Sequence, residues 1–148
     1  MDNVSIYLNF AGKTEQAFTF YKAVFNTEFL MVMRFKDFPD MPGMEEFSEE
    51  DRNKIGHIAI PIGKNTILMG TDSLECLGQQ LQQGNNMYIV LNPESLTECE
   101  RLWNALTEGG KTEMPLAETF WAERYGSFTD KFGIPWMISF EGNKAQQQ

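Results

Sequence analysis

The chain has 148 residues, the size of one ordinary domain, and is 42% hydrophobic and 22% charged. Its net charge of −9 argues against nucleic acid or an anionic membrane surface as a partner, because both attract basic proteins. No charged-then-apolar leader opens the sequence and no apolar run approaches membrane length, so we expect a cytoplasmic protein. Cys76 and Cys99 lack metal-site spacing and fit free thiols in a reducing compartment.

The sequence opens with an alternating stretch that predicts a strand. Residues 4–10 place apolar side chains on one face, with Tyr7 and Asn9 on the other. Thr14 suits the N-cap of a following helix, whose apolar residues recur at helical spacing. Asn26 suits a left-handed cap at the end of this helix.

Three further strands complete the first half of the pattern. Residues 27–35 form the second strand, and residues 55–62 and 66–70 form a hairpin. Between them, residues 36–53 are polar and acidic, which is typical of a solvated surface loop. This loop also carries three apolar residues that would instead suit a lid over a pocket. They are Met41, Met44 and Phe47.

The pattern restarts after a Gln-rich stretch at 73–84, the best candidate for an internal boundary. Residues 87–91 predict a strand, and Ser95 with Glu98 forms a capping box that starts a helix. The apolar stripe of this helix is Leu96, Cys99, Trp103 and Leu106. Three more strands follow, over 111–116, 120–129 and 136–140. The tail at 143–148 is expected to fray.

The order strand, helix and three strands therefore occurs twice, although the two halves share almost no sequence identity. We predict an α+β fold of paired βαβββ modules that form a curled mixed sheet with a central cleft and the helices outside. The chain is expected to be one domain over 1–148, with module one at about 1–75 and module two at about 84–142.

Several motifs resemble those of one superfamily. They are Tyr7-Leu-Asn-Phe10 with Ala17-Phe-Thr-Phe-Tyr21, Gly56-His-Ile-Ala59, Leu68-Met-Gly-Thr-Asp72 and, most specifically, the aromatic block from Glu118 to Met137. The whole chain resembles the vicinal oxygen chelate superfamily, which includes glyoxalase I, extradiol dioxygenases, and bleomycin-binding and fosfomycin-resistance proteins. It is most similar to the PhnB-like branch, often labelled glyoxalase-like or 3-demethylubiquinone-methyltransferase-like. The resemblance implies the paired-module fold and a homodimer.

The resemblance also implies a divalent metal in catalytic members, held by His and Glu on the first and last strands of each module. The corresponding strands of this sequence offer Ser5 or Tyr7, Met69, Asn86 or Tyr88, and Met137. None of these is a competent ligand for such an ion, so we expect no metal and no cofactor. The methyltransferase label also lacks support, because no Gly-rich loop joins a strand to a helix as nucleotide-like cofactors require.

Ten residues are candidates for contact with a small-molecule ligand: Tyr7, Asn9, His57, Met69, Tyr88, Glu118, Phe120, Trp121, Tyr125 and Met137. His57, the one histidine, is a hydrogen-bonded structural residue, a group that contacts a ligand or handles protons, or a metal ligand, although one ligand alone cannot hold a metal. Glu118 and Glu123 flank Phe120-Trp121. One of these carboxylates would be a base beside an aromatic floor, or else it forms a salt bridge with Arg124 or is simply exposed.

The sequence favours a metal-independent protein that binds a hydrophobic or aromatic small molecule in an aromatic, Met-lined cleft. The rival hypothesis is an enzyme, a lyase, isomerase or dioxygenase that uses His57, Glu118 or a different metal arrangement. A third hypothesis is a purely structural partner domain, which would have a filled cleft.

Overall fold

The structure is a computed structural model that describes residues 1–147. It divides into two compact units, Met1–Gln82 and Gln83–Gln148. The division falls inside the Gln-rich stretch at 73–84.

The first unit is a four-stranded mixed sheet with a helix packed against it. Its elements are β1 (Ile6–Phe10), α1 (Thr14–Val24), β2 (Met31–Arg34), α2 (Glu49–Asn53), β3 (Ile55–Ile62) and β4 (Thr66–Asp72). The strand order is β1-β4-β3-β2. β1 runs parallel to β4, and the other neighbours are antiparallel.

The second unit repeats this plan. Its elements are β5 (Ile89–Leu91), α3 (Leu96–Thr107), β6 (Lys111–Ala117), β7 (Arg124–Thr129) and β8 (Pro135–Phe140). The strand order is β5-β8-β7-β6, and again the first strand runs parallel to the last. The predicted order of strand, helix and three strands is therefore confirmed in both units.

The predicted α+β class is confirmed, with one change to the sheet. Each module builds its own four-stranded sheet, so the described part of the chain has two mixed sheets where the sequence predicted one curled sheet. The central cleft stays a prediction.

Helix α1 begins differently from the prediction. Its N-cap is Lys13, and Thr14 is the first helical residue and is fully buried. The Thr14 hydroxyl donates a hydrogen bond of 2.7 Å to Asp72 on β4, so it ties the helix to the sheet instead of capping it. The left-handed residue predicted at Asn26 is confirmed, with φ 51°.

Helix α3 begins where the capping box predicted. The Ser95 hydroxyl accepts a hydrogen bond from the Glu98 amide, while the Glu98 carboxylate accepts one from the Glu94 amide instead of from Ser95. The predicted apolar stripe of α3 is partly wrong, since Leu96 is exposed and Leu102 is buried. Residues 99, 102 and 106 lie on one helix face, and this is the face that packs into the core. Within residues 1–147, no helix is long and apolar enough to cross a membrane.

Three strands begin later than predicted, at Met31, Ile89 and Arg124. The cause is visible before β7, where Thr119 and Ala122 form a turn. The Thr119 amide donates to the Ala122 carbonyl at 3.0 Å, and the Ala122 amide donates to the Thr119 hydroxyl at 3.1 Å. A backbone closed into this turn cannot pair as a strand.

The polar segment at 36–53 is neither fully solvated nor an isolated loop. Phe47 is buried in a small apolar cluster with Phe35 and Leu74, and the rings of the two phenylalanines lie 6.1 Å apart. Met41 and Met44 pack against this cluster. The apolar residues that suggested a lid thus pack within the first unit.

The C-terminal segment is more ordered than the predicted frayed tail. Residues Gly142–Gln147 form a 3-10 helix, and Gln148 lies outside the described residues. The Lys144 ammonium donates a hydrogen bond of 2.6 Å to the Thr119 carbonyl, which ties this segment to the turn before β7.

Candidate functional site

In each unit, strand alternation divides the sheet into a face towards the helix and a face away from it, here called the open face. On the first sheet, Tyr7 pairs with Met69, which pairs with Ala59, and Asn9 pairs with Thr71. These residues alternate with the buried core residues of the same strands, so they share the open face. Three predicted site residues, Tyr7, Asn9 and Met69, are therefore brought together.

His57 joins this group through Tyr7. The Tyr7 hydroxyl lies 3.2 Å from His57 Nδ1, within hydrogen-bond distance, and the ring centroids are 5.8 Å apart. Burial raises the pKa of Tyr7, and a hydrogen bond from the Thr71 side chain partly offsets that rise. The neutral phenol therefore persists at physiological pH, and the pair can present one hydrogen-bond network to a bound molecule.

The open face of the second sheet carries the aromatic residues. Tyr125 donates a hydrogen bond to the Met137 sulfur at 3.5 Å, and its ring packs edge-on against Trp121 at 5.3 Å. Phe120 packs edge-on against Trp121 at 4.7 Å and is 82% exposed. The structure therefore brings these four predicted site residues into one continuous apolar surface.

The same face holds a polar group that the sequence analysis missed. Glu113 accepts hydrogen bonds from the hydroxyls of Tyr88 and Ser127, each at 2.8 Å. Ser127 is fully buried, and it pairs across the sheet with Met137. The hydrogen bond to Glu113 raises the pKa of Tyr88 above its ordinary value.

Glu118 lies apart from this group. It is exposed and forms an ion pair of 3.5 Å with Lys144. The salt-bridge alternative is therefore the one that the structure shows, although the partner is Lys144 and not Arg124. The Arg124 guanidinium donates instead to the backbone carbonyl of Glu123.

An open recess of about 450 Å³ lies at the end of β8. It is lined by Asn92, Pro93, Glu94, Ser139, Phe140, Glu141 and Gly142, and the Asn92 amide donates to the Ser139 carbonyl at 3.2 Å. None of the ten predicted residues lines this recess. Sequence patterns did not indicate it, because most of its lining residues lie in connections outside the strands.

The positions expected to hold a metal do not fit one. In the first sheet they are Tyr7 and Met69, neighbours in register. In the second sheet the matching pair is Val90 and Met137, since β5 begins at Ile89 and the predicted Asn86 and Tyr88 precede it. A phenol, two thioethers and an isopropyl group are poor ligands for a hard or borderline divalent cation. Within residues 1–147, no three His, Cys, Asp or Glu side chains cluster to hold an ion.

Comparison with known proteins agrees with this architecture. A family model described as 3-demethylubiquinone-9 3-methyltransferase matches residues 2–139. Protein YjdN of Escherichia coli K12 is 32% identical over 144 residues, which cover 92% of this chain and 93% of YjdN. The crystal structure of PA1353 from Pseudomonas aeruginosa is 33% identical, with a TM-score of 0.83, and the match covers 95% of this chain and 98% of PA1353.

A more distant solved structure shares the fold. The fosfomycin resistance protein FosX from Listeria monocytogenes matches with a TM-score of 0.61 at 12% identity. That match covers 94% of this chain and 93% of FosX.

Proposed function

The chain belongs to the 3-demethylubiquinone-9 3-methyltransferase family, the PhnB-like branch of the vicinal oxygen chelate superfamily, and from this premise we propose that it binds a small aromatic or hydrophobic molecule without a metal. The observation that carries the proposal is the surface of Phe120, Trp121, Tyr125 and Met137 on one open sheet face. Aromatic faces and a flexible thioether suit a flat apolar ligand.

The chemistry of the strand positions supports the metal-free part of the proposal. Tyr7, Met69, Val90 and Met137 stand where a chelating relative would need imidazole and carboxylate groups. The purified protein should retain less than stoichiometric Zn, Ni, Mn or Fe after incubation with each metal and dialysis, measured by mass spectrometry of the elements. One tightly held ion per chain would contradict this part of the proposal.

The family description names methyl transfer, but this sequence lacks the Gly-rich strand–loop–helix that binds nucleotide-like cofactors. We therefore propose no S-adenosylmethionine site. The proposed activity is binding.

Calorimetric titration with 1-naphthol, a flat aromatic probe, tests the binding surface directly. Trp121→Leu should weaken binding about fivefold to tenfold, because it removes an aromatic contact worth about 1 kcal/mol or more. Phe132→Leu, in the turn after β7, makes the same kind of change outside the surface and should leave the affinity unchanged. The proposal would be contradicted if the wild-type protein and Trp121→Leu bound 1-naphthol with equal affinity, or if neither bound it.

We further propose that the protein is a homodimer. β2 is an edge strand of the first sheet, and Met31 with its neighbours Leu30 and Val32 is 41–59% exposed. An exposed apolar edge can pair with another chain. Light scattering should give twice the chain mass of 17.0 kDa. Met31→Lys should shift the measured mass towards that of one chain, whereas Thr19→Lys, on the exposed side of α1, should leave it unchanged. A monomeric wild-type protein would contradict the proposal.

The proposed location is the cytoplasm. Cys76 is exposed and Cys99 is buried, and both are free thiols. Unpaired cysteines are stable in a reducing compartment. Tagged protein should accordingly fractionate with cytoplasmic enzymes.

A further inference from the structure

We propose that Glu113 is the recognition group for a positively charged nitrogen on the ligand, so that the preferred ligand class is protonated arylalkylamines, which join an aromatic ring to an alkylammonium group. This inference rests on the proposed binding function and assigns its charge preference. The site consists of Glu113, Tyr88 and Ser127, beside the aromatic surface of Phe120, Trp121, Tyr125 and Met137.

Glu113 lies at an irregularity in β6. Thr112 pairs with Phe128 and Met114 pairs with Ser127, so the register shifts at Glu113. Two residues, Glu113 and Met114, therefore oppose one residue on β7, as in a β-bulge. Both residues therefore lie opposite Ser127, and the Glu113 carboxylate accepts a hydrogen bond from the Ser127 hydroxyl on the open face.

The Glu113 carboxylate has capacity for a further donor. Its two oxygens offer about four acceptor sites. Ser127 occupies one, and the single proton of Tyr88, whose oxygen lies 2.8 Å from both carboxylate oxygens, occupies another. Glu113 itself is exposed, so a ligand can approach the remaining sites.

The neighbours of Glu113 do not neutralise it. Its two partners are hydroxyl groups, and among residues 83–147 no lysine or arginine forms an ion pair with it. The hydrogen bond to Glu113 raises the pKa of Tyr88, which keeps the phenol a neutral donor. The site therefore places a carboxylate, held by two neutral hydroxyl donors, beside aromatic rings, and both features attract a cation.

Two probes of equal shape test the charge preference: 2-phenylethylamine, which is protonated at pH 7, and 2-phenylethanol, which is neutral. Calorimetry should show that the amine binds more tightly than the alcohol. Glu113→Gln keeps the shape and removes the charge, so it should weaken amine binding about tenfold or more and change alcohol binding less than twofold. Glu100→Gln, on the exposed side of α3, makes the same charge change elsewhere and should alter neither affinity.

Salt dependence supplies a second measurement that needs no variant. Amine affinity should fall as sodium chloride rises, while alcohol affinity should not. If both probes bind the wild-type protein equally, or Glu113→Gln binds the amine as well as wild type does, the inference is overturned and the proposed binding function stands. If neither the amine nor the alcohol nor 1-naphthol binds, the proposed function fails and the inference with it.

Discussion

Asp72 is a buried carboxylate that joins three parts of the first unit. It accepts hydrogen bonds from the backbone amides of Gly12, Thr14 and Ile55, and from the Thr14 hydroxyl. Asp72→Asn places an NH2 group against one of these donors, so it should lose at least one charge-assisted hydrogen bond. Urea unfolding should show a loss of about 1.5–3 kcal/mol. Asp40→Asn, at an exposed position, should change the free energy of unfolding by less than about 0.5 kcal/mol.

Tyr88 provides a prediction in pH. The hydrogen bond to Glu113 raises the pKa of Tyr88. Absorbance titration of the wild-type protein should therefore show a tyrosine that ionises above pH 10, and the titration of Tyr88→Phe should lack this transition. The stability that this hydrogen bond contributes is fully present below the unfolded pKa of about 10 and is lost as pH rises through the higher folded pKa. In Glu113→Gln the same tyrosine should ionise closer to its ordinary value. An unchanged titration in that variant would contradict the role of Glu113.

The individual residues of the site show where sequence patterns are informative. Tyr7, Asn9 and Met69 were placed on one face by strand alternation, and the aromatic residues were indicated by their density. Glu113 was missed because its partners, Tyr88 and Ser127, are distant in the sequence and lie on other strands or loops. The partner of Glu118 was also missed, since Lys144 lies far along the chain in a segment that composition alone predicts to be frayed.

Helices α1 and α3 each meet their sheet through an aromatic residue above a glycine. A Cβ at Gly70 would lie 2.6 Å from the Phe18 ring of α1, and a Cβ at Gly126 would lie 2.6 Å from the Trp103 ring of α3. Gly126→Ala should therefore force the helix outwards and cost about 1–3 kcal/mol in chemical unfolding. Gly84→Ala, with open surroundings, should cost much less. Equal stability of the two variants would show that the helix contact adapts freely.

The existence and type of every long element were predictable, whereas several ends were not. The Ser95 signal worked because a capping hydroxyl acts within its own turn. The start of β7 could not be read locally, because the Thr119–Ala122 turn uses side-chain and backbone bonds that compete with strand pairing. Thr14 was predicted to cap the helix, but its hydroxyl donates a hydrogen bond to Asp72, an acceptor distant in the sequence.

Across the complete chain, two halves with almost no shared sequence reach the same strand order. Both use a buried aspartate near the end of the pattern. In the second half, Asp130 accepts from the amides of Phe132 and Ile134 and from the Trp136 indole. The shared order was predictable because it depends on alternating and helical periods, which many sequences satisfy. The role of Asp72 was not predictable, because its donors Gly12, Thr14 and Ile55 are distant in the sequence. The donors to Asp130 are local, but they belong to a turn whose side-chain hydrogen bonds leave no periodic pattern.

Limited proteolysis should separate the two units before either is degraded. Residues 82–87 are all exposed and lie outside regular helices and strands, so a broad-specificity protease should cut this stretch first. The other long connection, at 36–53, is held by the buried ring of Phe47 and by the short helix α2. Phe47→Ser should loosen that connection and add an early second cut there, whereas Gln80→Ser should leave the pattern unchanged. A first cut within 36–53 of the wild-type protein, identified by mass spectrometry, would show that the Phe47 cluster does not hold this segment.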